Sequence, residues 1–73
     1  MYKETFAQKL KKARLDAGYT QQQVSEITNI SQNTISRYEN SEREPDIENL
    51  AILIDFYEID ANWILGTGKK PKV

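Results

Sequence analysis

A chain of 73 residues with neither cysteine nor histidine has to fold on packing alone. At this length a single core is marginal, and a disulfide, a metal or a partner usually supports it. Disulfides are excluded here, and zinc would find only carboxylates, a poor structural ligand set. The usual His or Cys nucleophiles and bases are missing too, so neither an enzyme nor a cofactor- or metal-binding protein is expected. What remains is close helix packing, helped by self-association. The length suits one domain, since domains average about 100–150 residues.

No stretch approaches ~18 consecutive apolar residues, so no membrane span and no membrane partner are expected. The opening MYKETFAQKL lacks the apolar core of a signal peptide, which makes the cytoplasm the expected compartment. The end, GTGKKPKV, combines Gly, Pro and Lys. The domain is therefore expected over residues 1–66, with 67–73 a flexible tail or the start of a linker.

Period-2 alternation is nowhere sustained, and helical spacing dominates. Phe6, Leu10, Ala13 and Ala17 form one stripe of a first helix over roughly 5–17, with Gly18 at its end. Thr20 and Gln23 read as a capping box opening a second helix whose apolar side is Val24 and Ile27. Asn29 interrupts it. Ser31 caps a third helix, with Ile30 and Ile35 placed as a hydrophobic staple and Ile35 and Tyr38 facing inward. Asp46 caps a fourth, with core register Ile47, Leu50, Leu53, Ile54 and Tyr57. Asp60 caps a short fifth, which carries Trp63, Ile64 and Leu65 and stops at Gly66. Five short helices with brief connections predict a compact all-α domain.

The most informative unit is QQQVSEITNISQNTISRYEN, residues 21–40. It reads as helix, three-residue turn, helix, an arrangement that leaves the second helix protruding. Opposite its apolar side lies a polar stripe of Gln32, Asn33, Ser36, Arg37 and Asn40, with no carboxylate before Glu39. A merely solvated face would mix Glu and Lys. Gln and Asn pair bidentately with adenine in the DNA major groove, and Arg with guanine. The charge is divided in the same sense. Residues 1–43 hold seven Lys/Arg against five Asp/Glu, and 44–73 hold three against six. The acidic second half reads as a solvated face, with no ligand spacing for calcium. Lys9, Lys11 and Lys12 read equally as solvated surface or as phosphate contacts.

The segments T-Q-x-x-V-S, N-I-S, T-I-S-R-Y-E-N, R-x-P and D-x-x-W-I-L-G resemble the Cro/phage-repressor (XRE-type) class of helix-turn-helix proteins over about Phe6 to Gly66. The resemblance implies a five-helix, lambda-repressor-like DNA-binding domain with the helix-turn-helix at helices 2 and 3. It places Gln32, Asn33 and Arg37 on base-reading positions and adds Ser36 beside them. Gln21 resembles a phosphate anchor, as a helix start favours. Ser31 and Thr34 fall near phosphates, and Asn40 and Arg43 match backbone-contacting positions. Arg14 and Glu39 match a structural ion pair. Departures are Ser25 for the usual Ala, Asn29 for Gly, and E-N-S for E-N-G, so Asn40 or Ser41 must turn the chain without glycine. Glu42 and Glu44 flank Arg43 and weaken the positive field there.

Ile52 and Phe56 lie outside the core set of helix four, and Trp63 and Leu65 follow in helix five. A small monomer should not expose several large apolar side chains together, so these four are expected at a homodimer interface. The expected function is a cytoplasmic DNA-binding transcriptional repressor, a dimer on a palindromic operator of double-stranded DNA with helix three in the major groove. Two rivals remain. One is an antitoxin- or adaptor-type module whose main partner is a protein. The other is the N-terminal DNA-targeting module of a longer protein.

Overall fold

The computed structural model describes residues 2–66, with side chains from Phe6 onward. They form five helices: α1 (Tyr2–Ala17), α2 (Gln21–Thr28), α3 (Gln32–Glu39), α4 (Ile47–Tyr57) and α5 (Ala61–Leu65). The all-α expectation holds for these residues, and the tail 67–73 lies outside them. Among the described residues no helix is long and apolar enough to cross a membrane.

Local chemistry sets the helix ends. Thr20 accepts from the Gln23 amide while the Gln23 side chain accepts from the Thr20 N–H, a complete capping box. Ser31, Asp46 and Asp60 cap α3, α4 and α5 through their side-chain oxygens. Gly18 and Gly66 close α1 and α5 at positive φ. Asn29 takes the left-handed position after α2 at φ 67°. After α3 it is Ser41, at φ 63°, that turns the chain where the family has glycine.

The core is Ala7, Leu10, Ala13, Val24, Ile30, Ile35, Tyr38, Leu53, Tyr57 and Ile64. Each fully buried Leu or Ile contributes roughly 1.5–3 kcal/mol by leaving water. The helix-turn-helix packs α3 across α2, with α1 beneath α3. Ile30 and Ile35, either side of the Ser31 cap, are both buried as the staple requires.

Four sequence expectations are corrected. α1 begins at Tyr2, three residues before the predicted start. Ala17 is exposed, because the inward position of the last turn belongs to Arg14, and Ala7 joins the core instead. Ile27 is 57% exposed. The inward arc of α2 is Gln21, Val24, Ser25 and Thr28, and Ile27 lies beside it. Ile47 is 87% exposed, because the first turn of α4 meets the core through Asn49, with Leu50 half-buried beside it, and not through Ile47.

A buried ion pair fastens α1 to the end of α3. Arg14 Nε donates to Glu39 Oε2 at 2.8 Å and a second guanidinium N–H reaches Oε1 at 3.1 Å. The side chains are 9% and 3% exposed. The third guanidinium nitrogen donates to the Tyr19 carbonyl at 2.8 Å. The hydrogen bond to Glu39 raises the Arg14 pKa against the opposing effect of burial. Tyr57 lies close enough to feel both charges. Burial, helped by the Glu39 carboxylate and opposed by Arg14, pushes its hydroxyl up to about 12.

Two outcomes are expected. Arg14→Met or Glu39→Gln alone strands one buried partner and should cost about 3–5 kcal/mol. The double variant should recover much of this in a denaturant-melt cycle, and a cycle without coupling would remove the pair from the scaffold. The second concerns alkali. Tyr57 holds its proton more tightly folded than unfolded, so its contribution is complete below about pH 10 and is lost as pH rises toward about 12. Tyr57→Phe should flatten that part of the stability–pH curve, and an unchanged slope would show that Tyr57 does not cause it.

Candidate nucleic-acid interface

α3 begins at the Ser31 cap and presents its apolar side, Ile35 and Tyr38, to the core. Helical periodicity then forces the opposite positions outward. Gln32, Asn33 and Arg37 are exposed, with Ser36 half-buried and Asn40 exposed at the helix end. The structure thus gathers all five predicted stripe residues on one outward surface. No carboxylate interrupts it, because Glu39 turns back to Arg14.

Several of these side chains already hold partners. Ser31 Oγ donates to Thr34 Oγ1 at 2.7 Å and accepts from the Thr34 amide at 3.1 Å. Asn40 Nδ2 donates to Ser36 Oγ at 3.4 Å, a long bond that ties the final turn together. Gln21, at the start of α2, donates from its amide to Glu39 Oε1 at 3.1 Å. It therefore belongs to the same network as the ion pair, and it stays half-buried at the helix start.

Arg43 is exposed in the loop after α3, between the exposed Glu42 and Glu44. No ion pair involves its side chain among the described residues. The lysines of α1 differ among themselves. Lys9 Nζ donates to the Trp63 carbonyl at 2.7 Å and lies 5.5 Å from the Trp63 ring centroid, which ties α5 to α1. Lys12 pairs with Asp16 at 2.9 Å in full solvent, a contact worth little. Lys11 is exposed.

The four residues expected at a dimer interface separate into two pairs. Ile52 is 39% and Trp63 36% exposed. Phe56 and Leu65 instead fold half-buried against the core edge, with the Phe56 ring 5.0 Å from that of Tyr19. A shallow groove beside Ile52 is lined by Ala51, Ile54 and Asp55.

Sequence reasoning missed two links that hold α3. One is the Gln21–Glu39 bond. The other is Asn49 Nδ2 donating to the Tyr38 hydroxyl at 2.9 Å, which joins α4 to the core side of α3. Neither leaves a periodic signature. Asn49 reads only as the third residue after the Asp46 cap, whose carboxylate accepts its amide at 2.8 Å.

A helix-turn-helix family model matches residues 10–64. The chain is 37% identical over 68 residues to the HTH-type transcriptional regulator ImmR of Bacillus subtilis (strain 168), covering 93% of this chain and 54% of that protein. It is 30% identical over 60 residues to YonR, an SPbeta prophage-derived HTH-type transcriptional regulator of the same strain, covering 82% of this chain and 56% of that protein. The chain spans about half the length of the curated relatives it matches. The matched segment takes in the capped α2, the turn, α3 and most of the core that supports them, and the chain belongs to the Cro/phage-repressor (XRE-type) class of helix-turn-helix proteins.

Proposed function

We propose that the chain is a sequence-specific DNA-binding transcriptional regulator, a repressor that binds a palindromic operator as a homodimer with α3 in the major groove. The observation that carries this reading is the exposed, carboxylate-free polar face of α3. Its side chains are those that match base edges, and a carboxylate there would be repelled by phosphates. The naming of both relatives as transcriptional regulators supports the same role.

In this reading Gln32, Asn33, Ser36 and Arg37 meet bases. Gln21, Ser31, Thr34, Asn40 and Arg43 fix the register on the sugar-phosphate backbone. The low net charge of −1 gives weak, salt-sensitive binding to random DNA. Two-fold pairing through the Ile52 and Trp63 surface sets a second α3 about one DNA turn away, ~34 Å. Phe56 and Leu65 back that surface from the core side.

A second reading, a module that grips another protein, is favoured by Ile47. It is 87% exposed at the start of α4, beside the carboxylates of Asp46 and Glu48. Fluorescence anisotropy on labelled duplexes separates the two, since only the first gives a log affinity falling linearly with log salt, by about 0.9 per phosphate neutralised. Binding flat between low and moderate salt would eliminate the DNA reading.

The residue roles are checked with a site selected from random duplexes. Arg37→Ala should weaken that site by about 1–3 kcal/mol while leaving random DNA nearly unchanged. Gln21→Ala should weaken both by the same factor. Equal losses for Arg37→Ala would show that it meets phosphate, not a base. For the dimer, Trp63→Ala should weaken binding to a two-half-site duplex more than to a single half-site. Equal losses on both, in a variant that still melts cooperatively, would rule the interface out.

A further inference from the structure

The polar side chains of the helix-turn-helix divide by what they already hold. Thr20 and Gln23 bond to each other's backbone, and Thr28 donates to the Val24 carbonyl. Gln21 is held by Glu39, Ser31 and Thr34 bond to each other, and Asn40 leans on Ser36. Gln32, Asn33 and Arg37 stand apart. Among the described residues, the hydrogen bonds and ion pairs of α2 and α3 involve none of these three side chains. All three are exposed on α3 and keep their full bonding capacity.

Their chemistry is of two kinds. The Gln32 and Asn33 amides each offer a donor and an acceptor side by side. The Arg37 guanidinium offers only donors, in a planar fork. In the major groove adenine presents the N7 acceptor beside the N6 donor, and guanine presents two acceptors, N7 and O6. An amide therefore matches adenine with both groups, and a guanidinium matches guanine. The converse pairings set donor against donor or acceptor against acceptor.

The helix fixes the spacing. Asn33 and Arg37 are four residues apart, so they stand on the same face, about 6 Å apart along the axis at 1.5 Å per residue. That is less than two base-pair steps of about 3.4 Å. Gln32 occupies the neighbouring column, about 100° around the helix.

Resting on the DNA-binding reading above, we infer that each half-site contains an A·T pair read by Asn33 and a G·C pair read by Arg37 no more than two steps away. A second A·T pair, read by Gln32, adjoins them. Ser36, already engaged by Asn40, contributes contact and no strong preference.

The test is selection from random 20-base-pair duplexes by the 73-residue chain and its variants, followed by sequencing of the bound pool. The wild-type pool should enrich adenine and guanine within two steps of each other. Arg37→Gln should shift one position alone from G·C to A·T, by at least about tenfold, as a change of bidentate partner requires. Asn33→Ala should flatten the A·T preference at its own position and leave the G·C preference intact. Unchanged thermal melts confirm that both variants are folded. A wild-type site without this adenine–guanine spacing, or an Arg37→Gln pool altered equally at all positions, would overturn the inference. A wild-type pool with no enrichment would remove the DNA-binding reading itself, an outcome distinct from enrichment of the wrong bases.

Discussion

The desolvated pair of Arg14 and Glu39 is the contact on which the placement of α3 depends. Two opposite charges under nearly complete cover cost several kcal/mol to bury, and only good geometry offsets that. Here the geometry is a two-pronged fork, with the Tyr19 carbonyl on the third nitrogen and the Gln21 amide on the carboxylate. Each guanidinium nitrogen and each carboxylate oxygen of the pair therefore has a partner, and none of the described residues has a buried side-chain N or O atom left unmatched. One cluster fixes the end of α1, the start of α2 and the end of α3 at once. A greasy replacement would fill the volume but would not specify the rotation of α3 about its own axis. The Asn49–Tyr38 bond performs a similar service from the α4 side.

What could be read from the sequence was what is decided locally. Caps at Thr20, Ser31, Asp46 and Asp60 announce themselves because the bonded groups are two or three residues apart. The Ile30–Ile35 staple and the outward stripe of α3 follow from helical geometry alone. Ile27 lies just beside the inward arc of α2, and Ile47 on the uncovered side of the first turn of α4. Periodicity says which side of a helix is apolar, but not whether a neighbour covers that turn. The contact of Phe56 with Tyr19 likewise has no sign in its position on α4. Arg14 and Glu39 are 25 residues apart, and only likeness to a family joined them in advance. The Gln21 and Asn49 bonds had no such guide.

The charge division acquires a geometric sense from the fold. Residues 44–66, from the loop after α3 through α5, carry six carboxylates and no Lys or Arg. The Asp46 cap and Glu48 sit at the start of α4, where the helix dipole favours negative charge. The apolar residues Ile47, Ile52 and Trp63 emerge from this same acidic region. A polyanion meets repulsion there and none from the face of α3. In the DNA-binding reading, the face of α3 suits a polyanion without a high net charge.

Among the described residues the side chains of Gln32, Asn33 and Arg37 hold no bond within α2 and α3, and this has an evolutionary consequence. A residue that holds nothing in place can be exchanged with little effect on stability, within about half a kcal/mol at an exposed site. Mutations at these three positions therefore escape the filter that purges destabilised chains. In the DNA-binding reading, each substitution would offer selection a new base preference on an unchanged scaffold. The buried network beneath tolerates substitution less for the opposite reason, because altering one member strands the others. In such a lineage the folding instructions and the recognition code are separately heritable, and paralogues can diverge in what they recognise long before they diverge in shape.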